Sequence, residues 1–193
     1  YNNLIYLKNI PMGNKISTIP PQENINDKFS HFTPQELEEW NKSFNTKFPN
    51  GYITSVDLEK ILHSLFPFGN PSKFSSILFR TINISGNKTI DYNELLIAFS
   101  ILNKGSHFER LRWVYRFYDI DNDGIVSKKE MLTVVQSIFD MTSHTFNMKI
   151  DVIEFIDRIF KELENQSGFL TFEDFKRLSV EQPEFFKRLW IDI

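Results

Sequence analysis

The chain has 193 residues, a formal net charge of −3 and a pI near 5.8, room for one large or two small domains without the basic excess of a nucleic-acid binder. It contains no cysteine, which excludes disulfides and thiol catalysis and fits a reducing compartment. No apolar run approaches the eighteen or more residues of a membrane span, and no secretory signal is recognisable near Tyr1.

Residues 1–11, YNNLIYLKNIP, lead into nothing regular. Met12-Gly13-Asn14-Lys15-Ile16-Ser17 then reads M-G-x-x-x-S, the N-myristoylation signal, with Gly13 as the acceptor. The transferase needs a free N-terminal glycine, so the motif acts only if the natural chain starts at Met12. Residues 1–11 would then be upstream sequence, and otherwise the stretch is a flexible tail. Residues 18–30 are polar and carry Pro20-Pro21, so 1–32 is expected to be a loose N-terminal arm.

Helices begin at Thr33-Pro34-Gln35-Glu36, which offers an N-cap, a proline at the first helical position and Glu at the third. Leu37, Trp40 and Phe44 follow at helical spacing, then a turn rich in Pro and Gly (Phe48 to Ile53). Leu58, Ile61, Leu62 and Leu65 form a second stripe, broken by Phe66-Pro67-Phe68-Gly69-Asn70-Pro71. The plan then repeats. Apolar residues at one equivalent loop position, Ile53, Ile90, Val126 and Leu170, are 37, 36 and 44 residues apart, a helix–loop–helix period occurring four times. Each helix pair carries a stripe that only another pair can bury, so the units should dock two by two. The expected domains are 33–104 for the first pair and 105–193 for the second with a C-terminal helix. The fold class is all-α.

The third loop carries the chemistry. Asp119 to Glu130 reads D-I-D-N-D-G-I-V-S-K-K-E, the twelve-residue EF-hand calcium loop. Asp119, Asp121 and Asp123 at positions 1, 3 and 5 point carboxylates into one hollow, and Gly124 takes the turn. The Ile125 carbonyl adds an oxygen, Ser127 holds a water, and Glu130 closes the cage with both its oxygens. The alternative, an acidic surface turn before a helix, does not account for six fixed positions at once.

The other loops are weaker. The first has Phe48 and Pro49 at positions 3 and 4 and Asp57 at 12, and should not bind metal. The second offers oxygens from Asn83, Ser85, Asn87, Asp91 and Glu94, but only two are carboxylates and Lys88 replaces the turn glycine. It is at best a weak second Ca2+ site, because affinity follows ligand charge and rigidity. In the fourth, counting back from Gly168 puts Leu163 at position 1, whereas the helix stripe Ile156, Ile159, Phe160, Leu163 puts Glu164 there. The two counts disagree by one residue, and Asp174 at position 12 is a shorter arm than Glu.

LFPFGNPSKF, LRWVYRFYDIDNDG and KKEMLTVVQSIF resemble the neuronal calcium sensors, the group of frequenin, hippocalcin, visinin-like proteins and recoverin. The resemblance runs from Met12 nearly to the C-terminus and is most specific from Trp40 to Ile138. The inactive first loop is also found in that family, with Cys-Pro where this chain has Phe48-Pro49. The resemblance implies two EF-hand pairs, myristoylation at Gly13, a cytoplasmic protein peripherally associated with membranes, and no organic cofactor. It also implies an apolar groove for a helix of a target protein, such as a kinase, a channel or a receptor regulator. Matching positions are Trp40, Phe44, Leu58, Ile61, Leu62, Leu65, Phe66, Leu95 and Phe99, for which plain core packing is the competing explanation. The family usually fills two or three loops, and this chain keeps one intact.

A calcium sensor acting on a target near membranes is therefore expected, with a constitutive, largely calcium-independent regulatory subunit as the alternative. No enzyme is expected: His31, His63, His107 and His144 are dispersed, and neither a nucleophile–base grouping nor a phosphate loop is present.

Overall fold

The computed structural model describes residues 32–146, 151–162 and 167–181. Among these, eight helices and four very short strands alternate: α1 (Pro34–Lys47), β1 (Tyr52–Ile53), α2 (Ser55–Leu65), α3 (Ser72–Ile82), β2 (Ile90–Asp91), α4 (Tyr92–Lys104), α5 (His107–Tyr118), β3 (Ile125–Ser127), α6 (Lys128–Phe146), α7 (Val152–Glu162), β4 (Phe169–Thr171) and α8 (Phe172–Glu181). The fold is all-α, with each strand a fragment of a loop between two helices. The strands pair antiparallel, β1 with β2 and β3 with β4. Ile53 lies opposite Ile90 and Val126 opposite Leu170, so the four apolar markers of the repeat face one another two by two.

Local sequence fixes the helix starts. Thr33 with Glu36, Asp91 with Glu94 and Ser106 with Glu109 form capping boxes in which the first side chain accepts from the N3 backbone N–H and the N3 glutamate accepts from the cap N–H. Pro34 follows the first cap, where a missing N–H is harmless.

Two compact units are distinguished, Tyr1–Leu58 with Ile82–Gly105 and Glu59–Thr81 with Ser106–Ile193. Glu59–Thr81, read from the sequence as part of the first pair, groups with Ser106–Ile193. In the first unit Phe44 is fully buried, with ring centroids 5.1 Å from Phe48 and 6.0 Å from Tyr92. Trp40 lies between Phe32 at 4.8 Å and Phe99 at 6.2 Å. The Tyr92 hydroxyl donates to the Leu37 carbonyl at 3.1 Å, and burial pushes its pKa up to about 12. In the second unit Phe175, Met131, Val134 and Val135 have no exposed surface, and Tyr115 meets Phe175 edge-on at 5.0 Å. Of the twenty phenylalanines, eight of those described are buried in cores, where rings bury much surface with few rotatable bonds.

Within that second unit the Phe66–Pro71 linker docks on α6. The Asn70 N–H donates to the Asp140 carbonyl at 2.8 Å, and a Cβ on Gly69 would stand 1.9 Å from the Met141 carbonyl oxygen. Only glycine admits that approach.

Candidate metal centre

The third loop runs from the end of α5 to the start of α6. Carboxylate oxygens of Asp119, Asp121 and Asp123 lie within 4.8 Å of one another. Alternation of left-handed residues curls the loop: Asn122 at position 4 has φ +58 and Gly124 at position 6 has φ +89. Asparagine tolerates that region because its short amide bonds locally, and glycine because it has no Cβ. Asp119 Oδ2 accepts from the Gly124 N–H at 3.2 Å, and Asp123 Oδ1 from the Ile125 N–H at 2.9 Å. Asp119 Oδ1 is buried with no hydrogen-bond partner. A buried carboxylate oxygen without a donor is costly, and a cation in the hollow would satisfy it. The donor set, all oxygen and mostly anionic, suits a hard ion such as calcium.

Glu130 spans the mouth of the loop. One oxygen accepts from the Ser127 N–H at 2.8 Å and hydroxyl at 2.7 Å; the other accepts from the Ile120 N–H at 2.8 Å. Burial alone would raise its pKa, but these donors and the Asp121 N–H outweigh that and hold the carboxyl below its ordinary value. Asp119 goes the other way. Burial, followed by the charges of Glu130 and Asp123, raises its carboxyl against the lowering effect of the Gly124 and Asn122 N–H groups.

One device recurs in all four loops: the position-12 carboxylate accepts from the position-9 backbone N–H. The pairs are Asp57 with Thr54 at 3.0 Å, Glu94 with Asp91 at 3.1 Å, Glu130 with Ser127 at 2.8 Å and Asp174 with Thr171 at 2.9 Å. The glutamates reach further. Glu94 accepts from the Ser85 N–H at 2.7 Å, as Glu130 does from Ile120. The second loop copies the third in backbone as well, with Gly86 at φ +70 and Lys88 at φ +68 in the places of Asn122 and Gly124. Asn83 accepts from the Gly86 N–H at 3.0 Å, and Asn87 from the Thr89 N–H at 3.0 Å. The loop has kept its shape while losing its charge.

In the first loop the Asp57 carboxylate is engaged by the Thr54 N–H and hydroxyl. In the fourth, Asp174 caps Thr171 and pairs with Arg177 at 3.0 Å. Gly168 stands at φ +76, two residues before Leu170 as Gly124 is two before Val126. Leu163 and Glu164, on which the two counts differ, lie outside the described residues, as does Gly13. Of the nine groove positions, Phe44, Leu58, Leu62, Phe66, Leu95 and Phe99 are buried, while Trp40, Ile61 and Leu65 are half-buried.

Sequence reasoning missed three contributors to the third loop. Asn122 is one. The Tyr115 hydroxyl is another, 2.7 Å from the Gly124 carbonyl and 3.2 Å from that of Leu170, sharing its proton between two loops. Burial, reinforced by Asp119, Asp123, Glu130 and Asp174, pushes its pKa up to about 12. The third is Arg80, whose guanidinium donates to the Asn122 side chain at 3.0 Å. Asn122 could have been found from its place two residues before the turn glycine, but no local pattern announces the other two.

No family model matches the chain. A curated protein does: the chain is 33% identical over 184 residues to neuronal calcium sensor 1 of Lymnaea stagnalis, a match covering 92% of this chain and 96% of that protein. Likeness at that identity and over that length, together with four helix–loop–helix units and one complete acidic loop, establishes that the chain belongs to the neuronal calcium sensor family.

Proposed function

We propose that the protein is a calcium-responsive regulator that takes up calcium at the third loop and passes its occupancy to a target protein. The observation that carries this reading is the third loop itself: three converging carboxylates, one with a buried unpartnered oxygen, under a glutamate that spans the mouth. Asp119, Asp121, Asp123, the Ile125 carbonyl, Ser127 through a water, and Glu130 are the proposed ligands. Calcium supplies the charge that lets these carboxylates share one hollow. The second loop, from Asn83 through Ser85, Asn87 and Asp91 to Glu94, is at most a weaker site, because its shape is right and its charge is not.

Energetics limit the response. One site at a hundred times its dissociation constant contributes about 2.7 kcal/mol, whereas moving a switch from 1:99 to 99:1 takes about 5.5 kcal/mol. Calcium at one loop therefore tunes a nearly balanced equilibrium or a standing complex. Engagement of a target helix is supported by the likeness to neuronal calcium sensor 1, and six of the nine apolar positions read for it are buried. Myristoylation at Gly13 would add a membrane contact when the chain starts at Met12, and a single such chain binds reversibly.

The charge-poor second loop and the first loop, with Phe48 and Pro49 at ligand positions, favour the second reading, a subunit that holds its target at any calcium level. Calorimetric titration with calcium tests the site, and recovery of partners with and without calcium separates the two readings. Wild type should show one dominant site, and Glu130→Gln should weaken it at least about 100-fold by removing the bidentate ligand. Recovery of partners in chelator and in calcium should differ for wild type and not for the variant. If Glu130→Gln binds calcium as wild type does, the site is misassigned; if recovery ignores calcium, the constitutive reading stands. Protein from its native cell that begins at Gly13 and lacks the mass of a myristoyl group would exclude the lipid anchor.

A further inference from the structure

Arg80 lies in the last turn of α3, three residues before the second loop, yet its polar contacts are with the third loop and the end of α5 that leads into it. Nη1 donates to Asn122 Oδ1 at 3.0 Å, and Nη2 donates to the carbonyls of Arg116 at 2.9 Å and Phe117 at 3.2 Å. Those carbonyls belong to the last turn of α5, where helix geometry leaves acceptors without intrahelical donors and a cation is favourable. Burial works against the guanidinium charge, as does Arg116, while the carboxylates of Asp119, Glu130 and Asp121 support it. Three of the loop's four acidic residues thus act on this side chain.

We propose that Arg80 is a resident counter-cation of the third loop, competing electrostatically with calcium and setting the affinity of the site from a helix of the neighbouring hand. The proposal rests on the reading of the third loop as a calcium site. Four carboxylates in one loop repel one another, and a guanidinium that never deprotonates relieves that repulsion. A divalent ion relieves it further, offsets half of the carboxylate charge that attracts Arg80, and itself repels the guanidinium. Arg80 therefore stabilises the ion-free loop more than the ion-bound one, and only such a difference shifts binding. Its hydrogen bonds go to an amide and two carbonyls, neutral groups that Arg80 holds alike with or without the ion. They largely cancel, and the charge decides the sign. By reciprocity, calcium loosens the hold of the third loop on α3.

The test uses the full chain and calcium itself, titrated calorimetrically at low and high KCl, with urea unfolding followed in chelator and in calcium. Arg80→Gln keeps an amide donor without the charge, Arg80→Met removes both, and Arg80→Lys keeps the charge without the fork. The Gln and Met variants should bind calcium about three- to tenfold more tightly at low salt, the scale of one charge acting through partly solvated protein. The gain should shrink at high salt, and the unfolding midpoint in chelator should drop more than in calcium. Arg80→Lys should stay near wild type, and Arg80→Gln carries the test alone if the Met variant fails to fold. Unchanged or weaker calcium binding by Arg80→Gln overturns the proposal, as does an Arg80→Lys variant that tightens binding like the Met variant. A wild-type chain that takes up no calcium is a different failure, overturning the calcium reading and this proposal with it.

Discussion

Lys88 and Gly124 occupy the same loop position with nearly the same backbone, φ +68 against φ +89. For a side chain with a Cβ the left-handed region costs about 1–2 kcal/mol, so the second loop holds strain that the third avoids. Replacing Lys88 with Gly relieves it, partly offset by the greater freedom of glycine in the unfolded chain. A net gain of about 0.5–1 kcal/mol is expected, read as a rise in the urea midpoint; a lower midpoint would mean that Lys88 makes compensating contacts. The strain was legible from the sequence as a missing glycine. What sequence could not give was that the loop nevertheless keeps the curl, because Gly86 and the Asn83 and Asn87 side chains hold the turns around it.

At the level of elements, each loop hands over to its second helix through the same carboxylate at position 12. In the fourth loop that group is Asp174. Burial would raise its pKa, but the Thr171 N–H and hydroxyl and the Arg177 charge hold it below the ordinary value. A carboxylate with a depressed folded pKa contributes stability that is fully present above its unfolded pKa and is lost as pH falls through the folded one. Asp174→Asn should therefore destabilise the protein by about 1 kcal/mol at neutral pH, the usual loss for a weakened cap, and the gap to wild type should close on acidification below the ordinary carboxylate range. Thermal unfolding across pH checks this, and a gap constant to acid pH would deny the carboxylate its role. The boundaries of these elements were readable because caps are local: Thr33 to Glu36, and the four position-9 and position-12 pairs, each span three residues.

For the molecule as a whole, the second unit gathers more than its own two hands. Glu59–Thr81 belongs to it, seated by Gly69 against the Met141 backbone and by Asn70 on the Asp140 carbonyl. Gly69→Ala places a Cβ against backbone that cannot rotate away, and overpacking of this kind costs about 1–3 kcal/mol. A loss within that range is expected in chelator as in calcium. A neutral Gly69→Ala would show that linker and helix separate readily. The linker looked like a mere helix breaker in sequence, since Pro67, Gly69 and Pro71 end α2 whatever they touch.

The sequence by itself determined the helix–loop–helix repeat, with its markers Ile53, Ile90, Val126 and Leu170, and the acidic pattern from Asp119 to Glu130; the pairing of Ile53 with Ile90 and of Val126 with Leu170 came from the fold. The repeat and the acidic pattern are set by spacing within about a dozen residues or by a period, so chain-local geometry is enough. Only the tertiary structure decided that Asp119 keeps a buried oxygen without a donor and that Tyr115 ties the third loop to the fourth. It alone brought the cation of Arg80, 42 residues before Asn122, to the rim of the third loop. Those facts depend on which helices pack together, and a charge brought in by packing acts through distance in space, which the order of residues along a chain does not encode.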